Sequence, residues 1–299
     1  MWPLVKWSNR TILPVVGATV FLCGAAATLA TTEQQQERHF TVRERPVVIL
    51  DNIVNGRIEV KSWKNSEVVV VSSSVPDKVN IDMEQVGDRI DINASSTSPS
   101  TGPHDVEANF LLTVPEQTEL QLKTQTGLIL VEQVNGDMKL QSVAGDVHLK
   151  EVSGYIIVKT TGGSLVCAQC SGKLEFTSIS GSAQILQPSL NSMNLMTTTG
   201  NILYDGDFLR TGLYTMNSGR GLVEVRFSGN DSFDLNAKTS RGTVDNQAAE
   251  YMKPDTHSKS HSKSAPSNSL RSFTGTLGQG FAKVELSSYS GTIRILKRD

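Results

Sequence analysis

Little in this chain of 299 residues invites catalysis or ion binding. Cysteine occurs three times and histidine five times. Cys167 and Cys170 form a C-x-x-C pair, but no second pair exists to complete a zinc set. His257 and His261 are four residues apart, yet they sit among serines and lysines with no helical pattern to align them. That is adventitious metal contact at most. His148 reads as a solvated residue on the outer side of a strand. Aromatics make up 6% of the chain, and 28 basic residues nearly cancel 30 acidic ones for a formal charge of −2. With no basic surplus to neutralise phosphates, nucleic acid is excluded as a partner. Runs of Ala, Leu, Glu and Lys at helical spacing are absent from the body of the chain. β-Branched residues alternating with polar ones take their place, so the expectation is strand nearly throughout.

What the chain does have is a ruler. Gly127, Gly136, Gly145, Gly154, Gly163, Gly172 and Gly181 are each nine residues from the last. A fixed short period means one structural unit stacked on itself. In the nonapeptides that start at Gln133, the second column reads Val134, Val143, Val152, Thr161, Cys170 and Ile179. The sixth reads Met138, Val147, Ile156, Leu165, Leu174 and Ala183, and the eighth Leu140, Leu149, Val158, Cys167, Phe176 and Ile185. Columns six and eight are two apart and share one face of a strand. The column-four glycine marks a corner, through positive φ or tight contact between coils. The glycine signature then returns at Gly200, Gly221 and Gly242, at spacings of 19, 21 and 21. A doubled period with an unmarked strand between predicts an all-β, parallel β-solenoid with about two short strands per coil of 18–21 residues. Leu140, Val158 and Phe176 should then stack, as should Leu149, Cys167 and Ile185.

The register bears on chemistry. Cys167 and Cys170 both occupy apolar columns, which leaves two readings: small core hydrophobes, or a disulfide across one corner. Glycoside cleavage wants paired carboxylates, but Asp137 and Asp146 fall at opposite edges of a two-strand coil, and no stacked acidic pair is expected in the array. The calcium-binding nonapeptide Gly-Gly-x-Gly-x-Asp is hinted at only by Gly162-Gly163, with no aspartate in place. Gly275 to Gly280 lacks the lysine of a phosphate loop and reads as a bulged turn. No catalytic residue, cofactor or metal site is expected.

The ends and interruptions differ in composition. Lys6 and Arg10 precede an apolar run from Thr11 to Leu29 with small residues near its end, the pattern of a signal peptide over residues 1–30. An uncleaved anchor is the alternative, since about 20 apolar residues can span a bilayer. Leu22 before Cys23 argues against lipoprotein processing. Residues 31–46 read as a polar tether, 47–299 as the solenoid, and 250–272, rich in Ser, Lys and His with two prolines, as a disordered insertion.

Several segments carry a resemblance. They are Asn55-Gly56-Arg57-Ile58-Glu59-Val60, Phe110 to Pro115, the Val-x-Gly-Asp corners at Gly136 and Gly145, Ser240-Arg241-Gly242, and Gly278-Gln279-Gly280. Lys283 to Leu286 and the closing Ser290-Gly291-Thr292-Ile293-Arg294-Ile295 belong with them. Over roughly residues 40–299 the chain resembles the candidate adhesins, secreted adhesin-like β-solenoids classed as a domain of unknown function. The resemblance implies a cell-envelope location and no established ligand. The expectation is therefore a non-enzymatic, exported protein of the periplasm, cell surface or extracellular space that presents a flat binding or scaffolding surface. Its partner would be an envelope component, a glycan or a protein surface, with membrane contact only through an uncleaved N-terminal segment. The alternatives are a polysaccharide-active β-helix enzyme and a membrane-anchored envelope sensor.

Overall fold

Each nonapeptide folds as one short strand and one corner, and two of them complete a coil. The computed structural model describes residues 34–75, 77–97, 106–254 and 271–298. The N-terminal region contributes β1 (Gln34–Thr41), β2 (Val47–Asn52), β3 (Ile58–Trp63), β4 (Glu67–Ser74), β5 (Val79–Val86), β6 (Arg89–Ser96) and β7 (Ala108–Pro115). The array begins with β8 (Glu119–Thr124), β9 (Leu128–Glu132), β10 (Met138–Ser142), β11 (Asp146–Lys150), β12 (Ser153–Thr160) and β13 (Leu165–Ala168). It continues through β14 (Ser171–Ser178), β15 (Ala183–Leu186), β16 (Ser189–Thr197), β17 (Ile202–Asp205), β18 (Leu213–Ser218) and β19 (Val223–Phe227). The last elements are β20 (Phe233–Thr239), β21 (Thr243–Asn246), β22 (Lys253–Pro254), β23 (Ser272–Leu277), β24 (Ala282–Ser288) and β25 (Thr292–Lys297).

These strands form two long sheets, one of 12 strands and one of 13. Consecutive strands of the array alternate between them, so each strand pairs in parallel with the next but one. Leu140 lies beside Val158 and Val158 beside Phe176; Leu149 lies beside Cys167 and Cys167 beside Ile185. The two-strand coil of the expected parallel solenoid is what the structure shows. Columns six and eight are fully buried, and each large aliphatic there contributes about 1.5–3 kcal/mol gross, whereas Val143 and Ile179 of column two are exposed. The step from an 18- to a 19-residue coil is absorbed by a register shift at Gly172/Lys173, where β14 meets β16.

The glycines alternate between two edges. At the first edge, where the chain passes from the 13-stranded to the 12-stranded sheet, one column runs Gly56, Gly127, Gly145, Gly163, Gly181, Gly200, Gly221, Gly291, Gly242. A Cβ on any of these beyond Gly56 would sit 1.8–2.3 Å from the carbonyl oxygen of the glycine beneath. Close approach of backbones, rather than φ, explains most of the column. At the second edge Gly136, Gly154 and Gly172 stack over Thr118 in the same way. Positive φ at that edge belongs to Gly154 and Gly172, at 126° and 94°, and also to Gln133, Glu151, Gln169 and Gln187, at 48–58°.

Coil order along the stack departs from chain order at both ends. The β2–β3 coil lies between the β6–β7 and β8–β9 coils, and the β24–β25 coil lies between β18–β19 and β20–β21. Antiparallel strands flank these ends: β4 on β7 and β1 on β4, β5 on β6, and β23 on β20. They cover ladder edges that would otherwise invite pairing with another chain. The polar segment read as tether is corrected here, because Gln34–Thr41 is strand β1, paired along its length with β4. Its exposed side chains made it look unstructured, while its order comes from main-chain bonds. In the segment read as a disordered insertion, Ala249–Tyr251 is a 3₁₀ turn, Lys253–Pro254 pairs with β23, and Met252 is buried. Residues 255–270 and the N-terminal segment 1–30 lie outside the described residues. Among the described residues, no helix is long and apolar enough to cross a membrane.

At the second edge the glycine column ends at Gly172, and the longer turns 206–212 and 228–232 fill the space with rings. Phe208 stacks on Tyr204 at 4.7 Å and meets Tyr214 and Phe233 edge-on at 4.7 and 4.8 Å. The Asp231 carboxylate accepts the Phe208 N–H at 3.1 and 3.2 Å, while burial pushes its pKa up from 3.8 to about 6. The folded state therefore holds this proton more tightly than the unfolded chain. The associated stability is complete below pH 3.8 and is lost as pH rises through about 6. Because the side chain is part-exposed, the effect is discounted to about 1 kcal/mol. Asp231→Asn keeps an acceptor for Phe208 and removes the charge. Its melting temperature at pH 8 should exceed the wild type by about 2–4 °C and match it at pH 4. Parallel melting curves across that range would refute this reading of Asp231.

Candidate groove at the second edge

The N-terminal coils bring together residues far apart in sequence. β3 ends at Trp63 and β7 at Pro115, on adjacent strands and opposite each other in register. The turn after Pro115 is pinned by the buried Thr118, whose hydroxyl donates to the Pro115 carbonyl at 2.7 Å. Gln117, Asn135 and Ser153 then stack through isolated parallel bridges. Arg45, at φ 52° just before β2, reaches across this turn and donates from Nε to the Gln117 Oε1 at 3.3 Å.

Two clefts result. One of about 230 Å³ is lined by Arg45, Gln117, Thr118, Glu119, Asn135, Gly136, Asp137 and Gly154. The other, about 250 Å³, is lined among others by Arg43, Arg45, Trp63, Lys64, Pro115 and Gln117. Arg45 and Gln117 line both, so the two clefts adjoin along the edge and are together called the groove. Its floor includes Gly136 and Gly154, which present main chain and no side chain. Trp63 is part-exposed, with its indole N–H donating to the Glu67 carbonyl at 2.7 Å. Asp137 accepts the Tyr155 N–H at 3.1 Å, and the Tyr155 hydroxyl donates to Glu175 at 2.6 Å, which raises the phenol pKa. The walls carry Arg43, Arg45 and Lys64 against Glu44, Glu116, Glu119 and Asp137, so neither sign dominates.

The carboxylates correct one expectation. Asp137 precedes Met138, whose partner on β8 is Leu120, so Glu119 lies directly beside Asp137. Two acidic residues therefore do neighbour each other in main-chain register, one coil below the place considered from the nonapeptides. Asp146, at the other edge, accepts the Ser164 N–H at 2.8 Å. Its distance from the groove follows from the alternation of edges.

The other candidate residues sit elsewhere. Cys167 and Cys170 are fully buried and disulfide-bonded across the corner between β13 and β14, with Cα atoms 6.0 Å apart. They do not touch the groove. His148 faces outward on β11, part-exposed, and His257 and His261 lie outside the described residues. Among the described residues, no group of three or more His, Cys, Asp or Glu is placed to hold a metal ion. The corner glycines Gly127, Gly145, Gly163, Gly181 and Gly200 serve the first edge, and only Gly136 and Gly154 reach the groove.

One column escaped the sequence reading. Ser142, Ser178, Thr197, Ser218, Ser288 and Thr239 each accept the N–H of a glycine three residues on, at 2.7–3.1 Å. These buried hydroxyls replace water at the corner. The signal is the recurrent Ser/Thr-x-x-Gly, visible from Ser142-x-x-Gly145 to Ser288-x-x-Gly291. Trp63, Arg45 and Gln117 carry no comparable signal, because only the coil order brings them together.

Comparisons with known proteins agree with this architecture at the family level. A search of curated protein sequences gives no match. Among solved structures, the chain is similar to a candidate adhesin from Bacteroides fragilis NCTC 9343, at 9% identity and a TM-score of 0.46, covering 90% of this chain and 99% of that one. It is also similar to a candidate cell-adhesion protein from Clostridium sporogenes ATCC 15579, at 12% identity and a TM-score of 0.28, covering 89% and 100%. A third similar structure is a candidate lipid-binding protein from Parabacteroides distasonis ATCC 8503, at 8% identity and a TM-score of 0.23, covering 89% and 97%. The family model that matches spans residues 51–296, from the second strand to the last, and on that ground the chain belongs to the Toastrack DUF4097 family.

Proposed function

We propose that this protein is a non-enzymatic, adhesin-like binding module of the exported cell envelope, and that it takes a glycan chain along the second-edge groove. One observation carries the reading: a cleft that holds Trp63 adjoins, through Arg45 and Gln117, a second cleft that holds Asn135 and Asp137. A sugar offers an apolar C–H face to an indole and a rim of hydroxyls that both donate and accept. Amides, guanidinium and carboxylate together answer both roles. The near balance of charge suits a neutral or mixed ligand. Export is supported by the apolar N-terminal segment and by the buried disulfide, which favours an oxidising compartment.

The test is binding of soluble oligosaccharides and purified envelope polysaccharide to the full chain. Asn135→Ala and Trp63→Ala should each weaken binding about tenfold or more. Asn135→Ala leaves the main-chain bridges to Gln117 and Ser153 in place, so it separates binding from folding. No saturable glycan binding, or binding indifferent to both changes, would remove the proposal.

A polysaccharide-active enzyme is the second reading, favoured by the neighbouring Glu119 and Asp137. Release of reducing ends from bound polysaccharide, abolished by Glu119→Gln or Asp137→Asn, would establish it. Binding without release supports the module.

A further inference from the structure

At the other end of the stack the outer face of the 13-stranded sheet carries a different chemistry. Asn217, Ser287 and Lys238 lie abreast on β18, β24 and β20, and Lys238 is opposite Ser272 on β23. With Arg271, whose carbonyl accepts the Thr239 N–H at 2.8 Å, they line a cleft of about 520 Å³ at the first edge. Tyr289 and Ser240 form its rim, and the Arg241 guanidinium sits 5.2 Å over the Tyr289 ring. Among the described residues, no carboxylate lines the cleft. Glu285 lies two residues back along β24 and does not reach the lining.

The donors here are unengaged. Several cations elsewhere on these sheets are matched by carboxylates: Lys123 pairs with Asp51, Arg89 with Asp91, and Arg226 and Arg294 with Glu224. Among the described residues, the side chains of Lys238, Arg271, Asn217, Ser240, Ser272 and Ser287 make no ion pair or hydrogen bond. A planar guanidinium, a mobile ammonium, an amide and free hydroxyls around one open cavity suit a tetrahedral oxyanion.

We propose that this cleft binds a phosphate group, with Arg271 and Lys238 supplying the charge and Ser272, Ser287 and Asn217 the neutral donors. The site is separate from the second-edge groove and stands or falls without it. Phosphate could arrive on a soluble ester or a polymer, or as the headgroup of a lipid, and the test separates these sources.

The experiment titrates inorganic phosphate into ¹⁵N-labelled full-length protein at constant ionic strength. Saturable amide shifts are expected at Lys238, Ser272 and Ser287. The double variant Lys238→Gln, Arg271→Gln should weaken binding at least tenfold while its melting temperature stays within about 2 °C of wild type, both side chains being exposed. Lys159→Gln, an exposed lysine on the same sheet, should change nothing. Glycerol phosphate and phosphatidylglycerol vesicles are then compared: competition between them identifies a headgroup site, and binding of the soluble ester alone identifies a soluble or polymer-borne phosphate. Shifts confined to other residues, a double variant that binds as well as wild type, or no binding of any phosphate form would overturn the proposal.

Discussion

Gly163→Ala should unfold the protein or lower its melting temperature by about 10 °C or more, while Gly162→Ala, one residue away, should be nearly silent. The two glycines look alike in the sequence and differ in what lies beneath them. A Cβ on Gly163 would stand 1.9 Å from the Gly145 oxygen and 2.6 Å from its carbonyl carbon, both main-chain atoms of the coil below. Those atoms cannot move alone, because Gly145 is itself stacked on Gly127, and Gly181 is stacked on Gly163. Relief requires prising coils apart, with loss of the ladder and of the buried Val147–Leu165–Ala183 contact column. The cost should reach about 4 kcal/mol, the range of the most damaging single substitutions. On Gly162, a Cβ would meet nothing closer than the Ser180 hydroxyl at 3.7 Å, and its φ is ordinary for any residue. Thermal melts of the two variants side by side are the measurement. Equal destabilisation, or a tolerated Gly163→Ala, would mean that the column is not held by backbone contact.

That pair of glycines shows what could be read from the sequence. The period of nine and its doubling to 18 were legible because stacking forces chemically equivalent residues to recur at the coil length. Apolar columns six and eight mark the inward face for the same reason. The order of coils was not legible. Ser288-x-x-Gly291-Thr292-Ile293-x-Ile295 has the same pattern as any other coil, and a period says that units stack without saying which neighbours which. Strand β1 was hidden for a different reason. Gln34 to His39 are all exposed, so no alternation of apolar residues betrays a strand that is ordered by main-chain pairing. The groove depends on both hidden features. Its tryptophan comes from β3 and its guanidinium from the residue before Pro46, and these meet Gln117 only because the β2–β3 coil sits inside the stack.

Removing β25 should unfold the C-terminal end of the stack from β20 onward. Truncation after Ser290 deletes Ile293 and Ile295, both fully buried, from a strand paired on one side with β19 and on the other with β21. In a solenoid built in chain order, loss of the last strand would trim an edge. Here it opens a gap in the 12-stranded sheet, and β21 is left without its partner. The charge network across the gap fails with it. Arg294 joins Glu224 of β19 at 3.1 Å to Asp245 of β21 at 3.5 Å, and Glu224 is only 7% exposed. A buried carboxylate that loses one of its partners costs stability rather than merely forgoing it. The same geometry constrains folding. Strands β20 and β21 cannot dock in their final place until β24 and β25 have been made, so that end of the array must stay open until β25 is in place. The point substitution Ile293→Asp tests the strand without shortening the chain. It sets an unpaired charge between Val223 and Val244, and should lower stability by about 4 kcal/mol or more. Limited proteolysis should then cut the variant between Phe227 and Ser288 while the array from β8 to β17 stays protected. A variant that melts within a few degrees of wild type, or one that is cleaved evenly along its length, would show that β25 is not the inserted strand that closes the stack.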